Sequence, residues 1–140
     1  MIKHQVSTSF KGNMAFAAEI DHHSVLMDAS ISDGGDDAAA SPKKLMLASL
    51  AGCTGIDIVA ILNKMKVSFS HFDIIIEATL TDEYPKIYNH VSITYSIKVK
   101  EEDKPKMEKA VQLSQEKYCG VNAMFKAFAT VNYAIKYINW

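Results

Sequence analysis

The chain has 140 residues, 49% of them apolar, and a formal net charge of -1, enough apolar content for one buried core without disulfide staples. The even charge balance leaves no polyelectrolyte footprint for nucleic acid, and two cysteines cannot make a disulfide scaffold or a four-ligand zinc site. All 15 basic residues are Lys, so no step that needs an arginine fork can be supplied from within the chain.

Ile2, Val6, Thr8 and Phe10 alternate with polar neighbours and predict a half-buried first strand. Gly12-Asn13 is a turn signal, and Met14 to Ile20 reads as the hairpin partner. Ser24 to Ala29 is a third short strand. Ser32 to Ala40, with Asp33-Gly34-Gly35-Asp36-Asp37, is loop by composition. It lacks the twelve-residue register of a calcium loop with its closing Glu.

Ser41-Pro42 opens a helix that should run to about Met65, with Ser as N-cap and Pro at the first helical position. Lys43 and Lys44 in its first turn oppose the helix dipole. Leu45 to Leu62 holds a single charge, Asp57, and is near the minimum length of a membrane span. Asp57 would cost about 2.5–3.5 kcal/mol at a bilayer centre, so a buried core helix is the preferred reading. Gly52 and Gly55 each cost about 1 kcal/mol against Ala inside a helix. With Ala48, Ser49 and Ala51 they point to a close helix–helix crossing.

Phe72 to Leu80 and Val91 to Val99 read as two further strands. Asp103 should cap a second helix, with Pro105 in its first turn. Met107, Ala110, Val111, Ser114 and Tyr118 form its expected buried stripe. Gly120 ends that pattern, Val121 to Ala127 predicts a short third helix, and Val131 to Tyr137 alternates as a last strand. The order β-β-β-α-β-β-α-(α)-β makes the fold α+β in a single domain, 1–140. Covering a helix that is apolar all round takes more surface than one copy offers, so a homodimer is expected.

Cys119 would sit at the N-terminus of the short helix, where backbone N–H groups favour thiolate. Cys53 lies mid-helix, and Asp57 at i+4 shares its face. That carboxylate opposes a thiolate at Cys53, so a cation from elsewhere would have to offset it. His4, His22, His23, His71 and His90 are scattered, and no CxxC, HExxH, GxGxxG or Walker A sequence is present. Lys98, Lys100, Lys104 and Lys106, among acidic neighbours, read as a charged surface. No metal or cofactor is expected. No signal-peptide or lipidation pattern is seen, which predicts a cytoplasmic protein without a membrane role.

Ser41-Pro42-Lys43-Lys44-Leu45 followed by Ala48-Ser49-Leu50-Ala51-Gly52-Cys53-Thr54-Gly55-Ile56-Asp57 resembles the central helix of the OsmC/Ohr family. Lys117-Tyr118-Cys119-Gly120-Val121-Asn122 resembles that family's second cysteine motif, and Gly34-Gly35 before Ser-Pro is also typical. The wording around Cys53 is similar to the YhfA-like subgroup. The resemblance covers nearly the whole chain in element order. It implies an intertwined α+β homodimer whose long helices cross at its centre.

It also implies thiol-dependent reduction of organic or inorganic hydroperoxides. Cys53 would be the peroxidatic thiol and Cys119 the resolving one, recharged by a thiol reductant such as a lipoyl-type dithiol. The chain departs from the family at one pair of residues. The family's active-site Arg has no counterpart here, Lys11 being the nearest by position, and the Glu ten residues before the first Cys is Lys43. Lys43 and Lys44 lie two or more helical turns from Cys53. That departure motivates the alternative reading, a non-catalytic or weakly redox-active protein binding a small hydrophobic or thiol-reactive ligand in the dimer crevice.

Overall fold

A computed structural model describes residues 1–139. Six strands, β1 (Ser7–Gly12), β2 (Ala15–Ile20), β3 (His23–Met27), β4 (Phe69–Leu80), β5 (Tyr88–Val99) and β6 (Thr130–Tyr137), accompany three helices, α1 (Pro42–Lys64), α2 (Lys104–Leu113) and α3 (Gly120–Lys126). The α+β class and the element order expected from the sequence are both found. The chain divides into two compact units, Met1–Leu47 and the residues from Ala48 onward.

The first unit is a meander of β1, β2 and β3, antiparallel throughout. Gly12 (φ 109°) and Asn13 (φ 49°) make the hairpin turn, because Gly and Asn tolerate left-handed backbone. The expectation of a half-buried β1 is corrected: the strand starts later, at Ser7, and all six residues are exposed. Phe10, Phe16 and Leu26 are exposed as well. The loop after β3 is organised by Asp28. Its Oδ1 accepts from the Ala29 N–H (2.7 Å) and its Oδ2 from the Ala38 and Asp36 N–H groups (3.0 and 3.3 Å). These N–H groups, Ala38's foremost and then Ala29's, hold the buried carboxyl below the usual carboxylate range. Gly35 lies so close to the Ala29 carbonyl that a Cβ would overlap it.

The second unit is built on a sheet in the order β4-β5-β6. β5 runs antiparallel to β4 and parallel to β6. As the central strand it buries Val91, Ile93, Tyr95, Ile97 and Val99 at period two. Also buried in this unit are Met107, Ala110 and Val111 of α2 and Phe125 of α3. α1 buries one stripe here, Leu50, Thr54, Gly55, Ile58 and Leu62, at near i+4 spacing. A Cβ on Gly55 would stand 3.0 Å from Ile74 Cδ1, so the missing side chain lets the helix approach β4.

α1 is long and apolar enough to cross a membrane by length and composition alone. The buried stripe and its bond to Tyr95 make it a core helix of this unit. The expected burial on all sides is corrected to one side within the chain: Ile56 is 73% exposed, and a Cβ on Gly52 would meet nothing within 4 Å. Around Gly52 and Ile56, with Ala51, Val59, Phe72 and Ile74, lies a shallow open depression that is mostly apolar.

Two expectations for α2 are also corrected. Asp103 makes no side-chain cap and instead pairs with Lys106 at 3.7 Å. Tyr118 is 53% exposed rather than buried. The cause is a π-helical turn, Ser114–Tyr118, that follows α2 directly. Its wider i→i+5 spacing, with Cys119 N–H bonded to the Ser114 carbonyl at 3.0 Å, shifts the buried phase. Gln115 and Cys119 turn inward in place of Tyr118.

Candidate functional site

Cys53 and Asp57 stand one helical turn apart on α1, as their i,i+4 spacing requires. Cys119 follows the π turn and caps α3, its Sγ accepting from the Asn122 N–H at 3.4 Å. The sulfurs of Cys53 and Cys119 and a carboxylate oxygen of Asp57 all lie within 4.8 Å of one another. The two cysteines expected to work together are thus brought together across 66 positions of sequence, and both are free thiols. Cys119 is buried, whereas Cys53 and Asp57 are half-buried.

The Cys119 thiol is pushed up to about 12, first by burial and then by its hydrogen bond to Cys53. The Asn122 N–H pulls it down, and the electrostatic influence of Cys53 and Asp57 pushes it further up. The expectation that a helix N-terminus would favour a Cys119 thiolate is therefore corrected: one N–H donor is outweighed by burial and by the hydrogen bond to Cys53.

A buried polar network adjoins the thiols. Thr54 Oγ1 lies 2.8 Å from Tyr95 Oη and 2.7 Å from Ser114 Oγ. Ser114 Oγ donates to Asp57 Oδ2 at 3.1 Å. Gln115 Nε2 donates to Tyr95 Oη at 2.8 Å, and Asn122 Nδ2 donates to Gln115 Oε1 at 2.8 Å. Lys126 Nζ closes the π turn by donating to the Gln115 carbonyl at 2.9 Å. Asn122 Oδ1 is buried with no partner among the described residues. The chain of contacts runs from Asp57 through Ser114, Thr54, Tyr95 and Gln115 to Asn122, and so back to Cys119. It couples the carboxylate beside the thiols to the segment that carries the second one.

Sequence reasoning found both cysteines and Asp57 but missed Tyr95, Gln115 and the role of Thr54. The available signal was polar side chains at core-facing positions, since buried polar groups need partners. Of the cations considered, Lys11 lies exposed in β1 and Lys43 and Lys44 lie exposed in the first turn of α1. All five histidines are exposed and none joins the thiols.

Residues 34–134 match the family model described as OsmC-like protein. Protein YhfA of Escherichia coli strain K12 is 26% identical over 116 residues, covering 83% of this chain and 84% of that protein. A hypothetical protein of Aquifex aeolicus VF5, known from its crystal structure, superimposes with a TM-score of 0.80 at 26% identity, covering 99% of this chain and all of that one. An organic hydroperoxide resistance protein, OsmC, from Legionella pneumophila gives a TM-score of 0.68 at 16% identity, over 97% of this chain and 99% of that one. At that identity the likeness is one of fold.

Proposed function

Because the chain belongs to the OsmC-like protein family, we propose that it is a thiol-dependent peroxidase acting on organic or inorganic hydroperoxides through Cys53 and Cys119. The observation that carries this reading is the approach of the two sulfurs to within 4.8 Å. Some structural neighbours in the family are named for hydroperoxide resistance, which supports the same substrate class.

The cycle balances in three steps. The Cys53 thiolate attacks the distal peroxide oxygen, the O–O bond breaks, the alcohol leaves with a proton, and Cys53 becomes a sulfenic acid. Cys119 then attacks the Cys53 sulfur, forming the disulfide and releasing water that carries the thiol proton. A dithiol reductant, lipoyl-type in the family, exchanges with the disulfide and leaves as its own disulfide. The partially exposed Cys53 fits the first role and the buried, protonated Cys119 fits the second. A disulfide needs about 2.05 Å between sulfurs, so closing the pair asks for under about 3 Å of movement.

The protein works in the cytoplasm as a homodimer in this reading. The second copy covers the open face of α1 around Gly52 and Ile56 and the exposed apolar side chains of the β1–β3 sheet. The test is peroxide consumption with a small dithiol as reductant: Cys53→Ser abolishes turnover, and Cys119→Ser slows turnover and leaves Cys53 trapped as sulfenic acid.

One observation favours a second reading. No Arg exists to activate Cys53, and Lys43 stands where the family has Glu. A weakly redox-active protein that binds a small hydrophobic or thiol-reactive ligand would keep the thiols but show no peroxide turnover above that of free dithiol.

A further inference from the structure

We propose that the reduced protein binds a thiophilic divalent cation of the zinc type between Cys53, Asp57 and Cys119. Two cysteines cannot close a four-ligand site, but with Asp57 they present three donors and leave a fourth position for solvent, the pattern of an open zinc site. Their donor atoms lie within 4.8 Å of one another, and among the described residues no other group of three His, Cys, Asp or Glu side chains is so arranged. Zinc bonds of about 2.3 Å to sulfur and 2.0–2.2 Å to oxygen set tetrahedral donors about 3.5–3.8 Å apart. Each pair therefore has to close by little more than about 1 Å.

The ligand types select the ion. Two sulfurs favour zinc, cadmium or copper(I) over magnesium or calcium, which take oxygen donors. Cys53 and Asp57 at i,i+4 form a chelating pair on one helix face, and Cys119 supplies the third donor from a separate segment. Two neighbours already orient the donors, as outer-shell groups do around metals. Ser114 Oγ holds Asp57 Oδ2 at 3.1 Å, and the Asn122 N–H lies 3.4 Å from Cys119 Sγ. The half-burial of Cys53 and Asp57 leaves a way in.

Binding forms two sulfur–metal bonds, releases the two thiol protons to solvent and moves no electron. Occupied, the sulfurs cannot join to each other, so the cation and the disulfide exclude one another. Metal binding does not depend on the peroxidase reading and is measured without peroxide.

The experiment titrates cadmium into the reduced, chelator-treated protein under anaerobic conditions. A thiolate-to-metal ultraviolet band should saturate at one ion per chain, with two protons released per ion. Cys119→Ser and Cys53→Ser should each halve the band and weaken binding at least 100-fold. Asp57→Asn should keep the full band but weaken binding tenfold or more, its fold checked by circular dichroism. Loss of the band in a single-cysteine variant with affinity unchanged in Asp57→Asn would reduce the site to a bare thiol pair and overturn the three-ligand assignment. Binding without saturation at one equivalent would overturn the site altogether.

Discussion

Thr54 Oγ1 stands 2.7 Å from Ser114 Oγ, a buried contact between residues 60 positions apart. It joins the turn of α1 that carries Cys53 to the π turn that precedes Cys119. Thr54 also meets Tyr95 Oη, so one hydroxyl serves two partners. Thr54→Val keeps the shape and removes both bonds, leaving Ser114 and Tyr95 short of a partner. The expected cost is about 1–3 kcal/mol, read from urea unfolding as a lower midpoint at an unchanged slope.

Cys119 should be the slower thiol toward alkylation. With its thiol pushed up to about 12, the thiolate fraction is small at pH 7 and grows about tenfold per pH unit. Site-resolved mass spectrometry of iodoacetamide labelling, with a chelator present, should show its rate still rising at pH 10. Asp57→Asn removes a negative charge that disfavours the Cys119 thiolate and should speed labelling at fixed pH. A plateau below pH 9 would contradict the burial-based explanation.

Asp28 predicts a pH dependence of stability in the acid range. Its carboxyl is held low by the N–H groups of Ala38, Ala29 and Asp36. A carboxyl lowered on folding stabilises fully above its unfolded value, about 3.9, and that contribution fades as pH falls through the folded value. Asp28→Asn should lower the melting temperature at pH 7, and the gap from the wild type should narrow as the pH drops below 4.

Gly52 tests the proposed dimer. A Cβ there meets nothing within 4 Å in the chain itself, and both Ala and Leu favour a helix over Gly by up to about 1 kcal/mol. Gly52→Leu should therefore leave the folded chain intact while blocking close approach of a second α1. Sedimentation at micromolar concentration should give a dimer for the wild type and a monomer for Gly52→Leu.

Strand alternation, the Ser41-Pro42 helix start and the Gly12-Asn13 turn made every strand and helix legible, because period and turn chemistry are local. The π turn was not. Its wider hydrogen bonding is invisible in an amphipathic pattern, and it is what turns Gln115 and Cys119 inward and Tyr118 outward. The cysteines and Asp57 could be picked out by motif and by i,i+4 spacing. The protonation of Cys119 could not, because it depends on burial and on charges brought from α1. Nor could the partners of Thr54, Tyr95 and Ser114, which come from three separate elements. The single-sided burial of α1 was hidden for a simpler reason: an apolar sequence says what must be covered, not by which copy.

The measurement that bears most directly on the proposed function is peptide mapping of the reduced protein after one equivalent of cumene hydroperoxide, under non-reducing conditions. The expected result is rapid and stoichiometric formation of a Cys53–Cys119 disulfide, absent from Cys53→Ser. Slow oxidation of the two thiols to mixed products, independent of peroxide stoichiometry, would contradict it.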